Sequence, residues 1–119
     1  FRHAFAASPS CSPSRASILT GQSPPRLREG ANLWGTLPAR YDVYPDLLER
    51  AGYAVGLWRK GWGPGSVRRS GRTRNPAGPK FESFRAFLAE RPKDRPFCFW
   101  LGSWDPHRPY DRGFGARRG

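Results

Sequence analysis

A chain of 119 residues with 14 glycines, 13 prolines and 37% hydrophobic residues is rich in loops and short of the apolar material that a large independent core needs. Its formal charge of +12 leaves three readings open: contacts to nucleic-acid phosphates, a site for an anionic substrate such as a sulfated or phosphorylated sugar, or arginine spread over a solvated surface. Two cysteines and two histidines without C-x-x-C or H-x3-H spacing exclude a zinc site, and no apolar run is long enough to span a bilayer.

In chain order, "FRHAFAA" has the aromatic and small apolar character of a short strand. Ser12 and Pro13 read as the N-cap and first residue of a helix through "SRASILT", and Gly21 as its stop. "SPPRLREGANLWGTLPARYD" reads as loop. "YPDLLERAG" predicts a helix with Pro45 in its first turn, packing Leu47 and Leu48 and ending at Gly52. "YAVGLW" is a buried strand. "RKGWGPGSVRRSGRTRNPAGPK" has almost no periodic apolar residues and reads as a solvated loop, with an Arg/Gly nucleic-acid tail as the alternative. Phe81, Phe84, Phe87 and Leu88 recur at helical spacing, as core rather than cofactor contacts. "PFCFWLGSW" is an apolar strand leading into "DPHRPYDRG".

This order of strands and helices predicts an α/β fold with a mainly parallel sheet. In such sheets chemistry gathers beyond the strand ends, where the Cys11 turn, the Lys60 loop and the His107 loop all fall. His3 sits in no motif and reads as structural. Cys11 and Cys98 are the only cysteines, and their spacing neither requires nor forbids a disulfide. At a helix N-terminus the unpaired amides and the dipole favour an anion, which suits a reactive Cys11. Three residues separate Cys11 from Arg15, two fewer than the phosphate-cradling Cys-x5-Arg loop of tyrosine phosphatases. Arg15 instead lies one helical turn on, on the same face.

"CSPSRASILTG" resembles the sulfatase signature, a Cys-x-Pro-Ser-Arg core opening a helix that ends in Thr-Gly. The likeness runs over nearly the whole chain. "YPDLLERAGYAVGLWRKGWGPG" is similar to the family's helix and strand before its Gly-Lys-x-His segment, and "RPFCFWLGSWDPHRPY" to the strand before its active-site histidine. "CSPSRAS" and "DPHRP" look closest to the N-sulfoglucosamine sulfohydrolase (heparan N-sulfatase) branch. The resemblance implies an alkaline-phosphatase-like α/β fold and hydrolysis of a sulfate ester or sulfamate on a sulfated glycan. It implies that Cys11 is oxidised to formylglycine, whose hydrated aldehyde is the nucleophile. One hydroxyl of that diol attacks sulfur and the other later expels sulfate, an elimination that a serine ester could not make. By the same resemblance Arg15 steadies the hydrated aldehyde, Lys60 binds a sulfate oxygen, and His107 contacts the sulfate and protonates the leaving group. Arg108 either binds the anionic substrate or faces solvent. Pro13 and Ser14 serve recognition by a formylglycine-generating or other sulfatase-modifying enzyme.

The chain departs from the family at Trp62, where the pattern has a histidine that hydrogen-bonds the formylglycine. The implied cofactor is Ca²⁺, for which Cys11 as formylglycine is the single ligand expected here, because the family's Asp-Asp and Asp-Asn segments are not in this sequence. A hard cation needs several more oxygens. Beginning at Phe1 and lacking methionine, residues 1–119 read as an internal piece of the N-terminal catalytic domain, inactive in isolation. The family implies a periplasmic or secreted setting; no leader is seen in this piece. The rival readings are a basic nucleic-acid-binding module built on the Arg/Gly loop and a truncated, inactive sulfatase.

Overall fold

The computed structural model of the chain describes residues 2–104, 107, 111–113 and 116–117. Helix α1 spans Cys11–Thr20, starting two residues earlier than the sequence suggests. Ser10 is the N-cap, and its carbonyl accepts the first helical bond from Ser14 N at 3.1 Å. Pro13 is tolerated at the third helical position because the amide it lacks would be unpaired in the first turn anyway. Gly21 ends the helix at φ 67°, donating to Ser17 O at 2.8 Å, the left-handed stop that glycine makes without strain.

The stretch after α1 was expected to be loop. Instead, residues Pro24–Ala31 wind into 3₁₀ turns, kinked at Arg28. Paired prolines open them, since their fixed φ suits a first turn. Leu27 thereby reaches the core beside Ala16 and Leu19 of α1.

Helix α2 (Tyr44–Arg50) and strands β1 (Ala54–Arg59) and β2 (Phe97–Gly102) follow the sequence pattern. Leu47, however, is exposed and Leu48 only half-buried; α2 buries Pro45 instead. The two strands pair in parallel, from Ala54 opposite Phe97 to Arg59 opposite Gly102. Between them α3 (Phe84–Glu90) starts at Ser83, whose side chain accepts from Ala86 N. Phe87 of α3 lies 4.7 Å, ring to ring, from Phe99 and packs over Gly56 of β1, where any Cβ would meet its ring at 2.6 Å. The other edge of β1 is taken by residues 79–81, through Leu57 N to Pro79 O and Phe81 N to Leu57 O, both 2.8 Å.

The strand expected in "FRHAFAA" is not formed among the described residues. Residues 2–7 are exposed, with His3 stacked only on Phe5. An isolated apolar segment does not become a strand without a ladder partner, and none of the described residues supplies one.

The core is Ala16, Leu19, Leu27, Leu37, Val43, Leu57, Trp62 and Ala77, seated between α1, the 3₁₀ turns and β1. Residues 60–80, read as solvated loop, fasten themselves to that core. The Arg72 side chain is 8% exposed, pairs with Asp46 at 3.1 Å and donates to the carbonyls of Leu37, Pro38 and Tyr41. Arg74 grips Asp46 and Glu49, and its hydrogen bond holds the Glu49 carboxyl below its ordinary pKa. Arginines paired with the carboxylates of α2 are not available as a phosphate-binding tail.

Candidate active site

The first turn of α1, the segment after β1 and the segment after β2 meet in one place. Lys60 follows β1 directly, and its backbone closes the sheet: Lys60 N donates to Gly102 O at 3.1 Å. Gly102 permits this approach, since a Cβ there would lie 1.7 Å from Lys60 O. Lys60 O in turn accepts from Arg15 Nη1 at 2.8 Å and Trp100 Nε1 at 3.0 Å, while Gly61 O accepts from the same Arg15 nitrogen at 3.1 Å. With its backbone so fixed, the Lys60 ammonium donates to Cys11 Sγ at 3.3 Å.

Arg15 therefore acts as a bracket between α1 and the end of β1. Its guanidinium also lies 5.7 Å from the centre of the Trp100 ring. Burial lowers its pKa, and the charge of Cys11 acts in the opposite direction; guanidinium stays protonated regardless. Beneath Cys11, Ser12 is fully buried. Its hydroxyl donates to Leu33 O at 2.7 Å and accepts from Gly65 N at 3.2 Å, and its carbonyl accepts from the Trp62 indole at 3.1 Å. Asn75 pins the backbone of Trp62 from both sides, receiving Trp62 N at 2.9 Å and donating to Trp62 O at 2.8 Å.

Cys11, Arg15, Lys60 and the exposed His107 line a single cleft of about 750 Å³. Four residues singled out from the sequence are thus brought together, and Arg108 lies outside the described residues. Trp62 occupies the sequence position of the family histidine, but it is 3% exposed and belongs to the core. Trp100, Asn75 and Ser12 were missed as supports of the site. Only the indole of "CFWLG", an aromatic with one donor on an otherwise aliphatic and phenylalanine strand, carried a signal.

Cys11 and Cys98 are both free thiols. Cys98 sits half-buried on β2; burial raises its pKa, with a hydrogen bond from Tyr44 in partial opposition. Burial likewise pushes the Tyr44 phenol up to about 12. Among the described residues no three His, Cys, Asp or Glu side chains come together, so this stretch alone does not fit a Ca²⁺ ion, which takes six or more oxygens. No helix among them is long and apolar enough to cross a membrane.

A thiol at a helix N-terminus is thus faced by a lysine, with an arginine bracketing the helix to the segment beyond the ends of two parallel strands, the place where sites gather in α/β folds. The sulfatase family profile matches residues 1–117, and the chain belongs to the sulfatase family. It is similar to the N-acetylgalactosamine-6-sulfatase of Canis lupus familiaris, 39% identical over 75 residues that cover 50% of this chain and 14% of the relative. The enzyme of that name from Homo sapiens is 35% identical over 81 residues, covering 54% and 15%. That from Mus musculus is 35% identical over 77 residues, covering 50% and 14%. The chain thus spans only 14–15% of the length of these curated relatives. No solved structure matches it. The family expectation holds, whereas the N-sulfoglucosamine branch gains no support from these relatives. Family membership implies the alkaline-phosphatase-like fold, of which the two-stranded parallel sheet is a small α/β part.

Proposed function

We propose that this chain is the nucleophile-bearing part of a sulfatase that hydrolyses a sulfate ester on a glycan, with Cys11 converted to formylglycine. The supporting observation is the 3.3 Å contact from Lys60 Nζ to Cys11 Sγ at the start of α1, where sulfur marks the position of one oxygen of the hydrated aldehyde. Formylglycine, when hydrated, supplies a nucleophilic hydroxyl and a second hydroxyl through which sulfate is released. Lys60 holds a sulfate oxygen, and the free amides of the first α1 turn favour the same negative charge. Arg15 keeps Lys60 in place through the two carbonyls it grips. His107 gives a proton to the sugar oxygen as the S–O bond breaks. Ca²⁺ fits the family reading only if carboxylates from elsewhere in the protein complete its shell, and nothing in these residue roles depends on it.

A formylglycine-generating enzyme, or another sulfatase-modifying enzyme, is the partner this reading needs. Because Pro13 is buried within α1, such an enzyme would read Cys11, Pro13 and Arg15 before the helix packs. A periplasmic or secreted setting follows from the same reading. The nucleic-acid alternative loses its basis in Arg72 and Arg74, both committed to α2. The isolated 119 residues, offering so few metal donors, would not turn over a sulfate ester.

The test is sulfate release by the full-length protein, before and after His107→Ala. The variant should lose about 10²–10³-fold in kcat on a sulfated sugar and far less on nitrophenyl sulfate, whose leaving group needs little protonation. Equal losses on both substrates would remove His107 from the proton-transfer role, and absence of sulfate release by the parent would overturn the reading.

A further inference from the structure

Alternation along β2 sends its side chains to two different neighbours. Phe97 and Phe99 meet Phe84 and Phe87 of α3, with the Phe99 and Phe84 ring centres 4.9 Å apart. Trp100 faces the other way. Its ring stacks at 6.5 Å on Tyr44 of α2 and carries the Arg15 guanidinium of α1 at 5.7 Å, within reach of a cation–π contact. The next position on that face is Gly102, which has no side chain. Trp100 is therefore the last side chain of β2 on the face of the Cys11–Lys60 contact, and it lines the same cleft as both residues.

Packing alone does not call for tryptophan here. Phenylalanine would stack on Tyr44 as well, and it fills the neighbouring positions of the same strand. The indole adds one thing, an N–H that can only donate, and spends it on Lys60 O at 3.0 Å. That carbonyl also takes Arg15 Nη1 at 2.8 Å, so both of its lone pairs are used. The backbone at this point needs holding. Arg59, directly before Lys60, has φ 65°, a left-handed conformation that residues other than glycine rarely adopt and that persists where the surroundings fix it. The turn at Arg59 takes the chain out of β1. The direction in which Lys60 then leaves the strand is set by what grips its peptide groups: Gly102 O on one side, Arg15 and Trp100 on the other.

We propose that Trp100 is a positioning residue for the reaction. Its N–H fixes the Lys60 carbonyl, and its ring supports the guanidinium that fixes the same carbonyl from α1, so the Lys60 ammonium is held toward residue 11. The inference rests on the proposed function, in which Lys60 holds a sulfate oxygen. Trp100 acts through Lys60 rather than on the substrate.

Trp100→Phe keeps a ring and loses the N–H, and a double-mutant cycle with Lys60→Met reads whether the effect passes through Lys60. In the full-length protein Trp100→Phe should lower kcat/KM about tenfold, the scale of a small misplacement at a reacting centre. The factor should be the same on a sulfated sugar and on nitrophenyl sulfate, because Lys60 serves the sulfate and not the leaving group. On the Lys60→Met background the same substitution should cost less than about twofold. Equal factors on the two backgrounds with a lowered melting temperature are what a merely structural role gives, and that result would overturn the inference, as would an unchanged kcat/KM in the single variant. Calorimetry with inorganic sulfate on protein carrying Cys11→Ala reads the same position without turnover. There Trp100→Phe should weaken sulfate about fivefold at an unchanged melting temperature. Sulfate binding untouched by Trp100→Phe would overturn the positioning role and leave the proposed function standing. A parent protein that neither binds sulfate nor releases it from an ester would overturn both.

Discussion

Lys60→Met in the full-length protein is expected to lower kcat/KM for a sulfate ester by about 10²–10³-fold, the usual cost of removing one preorganised donor to a developing oxyanion. The fold should be nearly untouched, because the structural work at this position belongs to the backbone. Lys60 N closes the strand pair against Gly102, and Lys60 O receives Arg15 and Trp100. The side-chain ammonium donates to Cys11 Sγ instead. Steady-state kinetics with one melting curve check this. A loss below threefold, or a loss matched by a large fall in melting temperature, would contradict the assigned role.

The second large effect is on stability. Trp62→Ala should cost about 3–5 kcal/mol, read from the shift in urea midpoint of the full-length protein. The indole is 3% exposed, packs in the cluster that holds Ala16, Leu57 and Ala77, and supplies the donor to Ser12 O at 3.1 Å. Alanine would leave both a cavity and a buried carbonyl short of that donor. Trp62→Phe keeps most of the volume and loses only the N–H, so about 1–2 kcal/mol is expected. Trp62→His, which restores the family pattern, should destabilise without raising activity. The imidazole is too small for the core space, and the contact to Cys11 is already made by Lys60. A Trp62→Ala protein with an unchanged midpoint would show that the residue is not the support described.

The parts of this molecule legible in its sequence are those governed by local rules. Gly21 and Gly52 marked helix ends because both need left-handed backbone. The run from Phe97 to Gly102 was too short and too apolar for anything but a strand, and Phe87 stood at helical spacing for burial. The motif around Cys11, with Lys60 and His107 beyond two strands, brought the site into view before any geometry. What escaped depends on partners distant in the chain. "FRHAFAA" has the composition of a strand, but strand formation is decided by a neighbour rather than by composition. Arg72 and Arg74 looked like solvated charge because Asp46 and Glu49 lie more than twenty residues away. Trp62 read only as a departure from the family histidine, because sequence position cannot tell which way a side chain points. The structure turns it into the core and gives the thiol to Lys60.

Conversion of Cys11 to the nucleophile is the step on which the proposed function turns. It is tested most directly by peptide mass spectrometry of the full-length protein, produced together with a formylglycine-generating enzyme and treated with an aminooxy probe. The predicted result is that the peptide containing Cys11 carries the probe, while Cys98, half-buried on β2 with its pKa raised, is recovered as an ordinary thiol. Recovery of Cys11 as a free thiol in protein that releases sulfate would contradict the account.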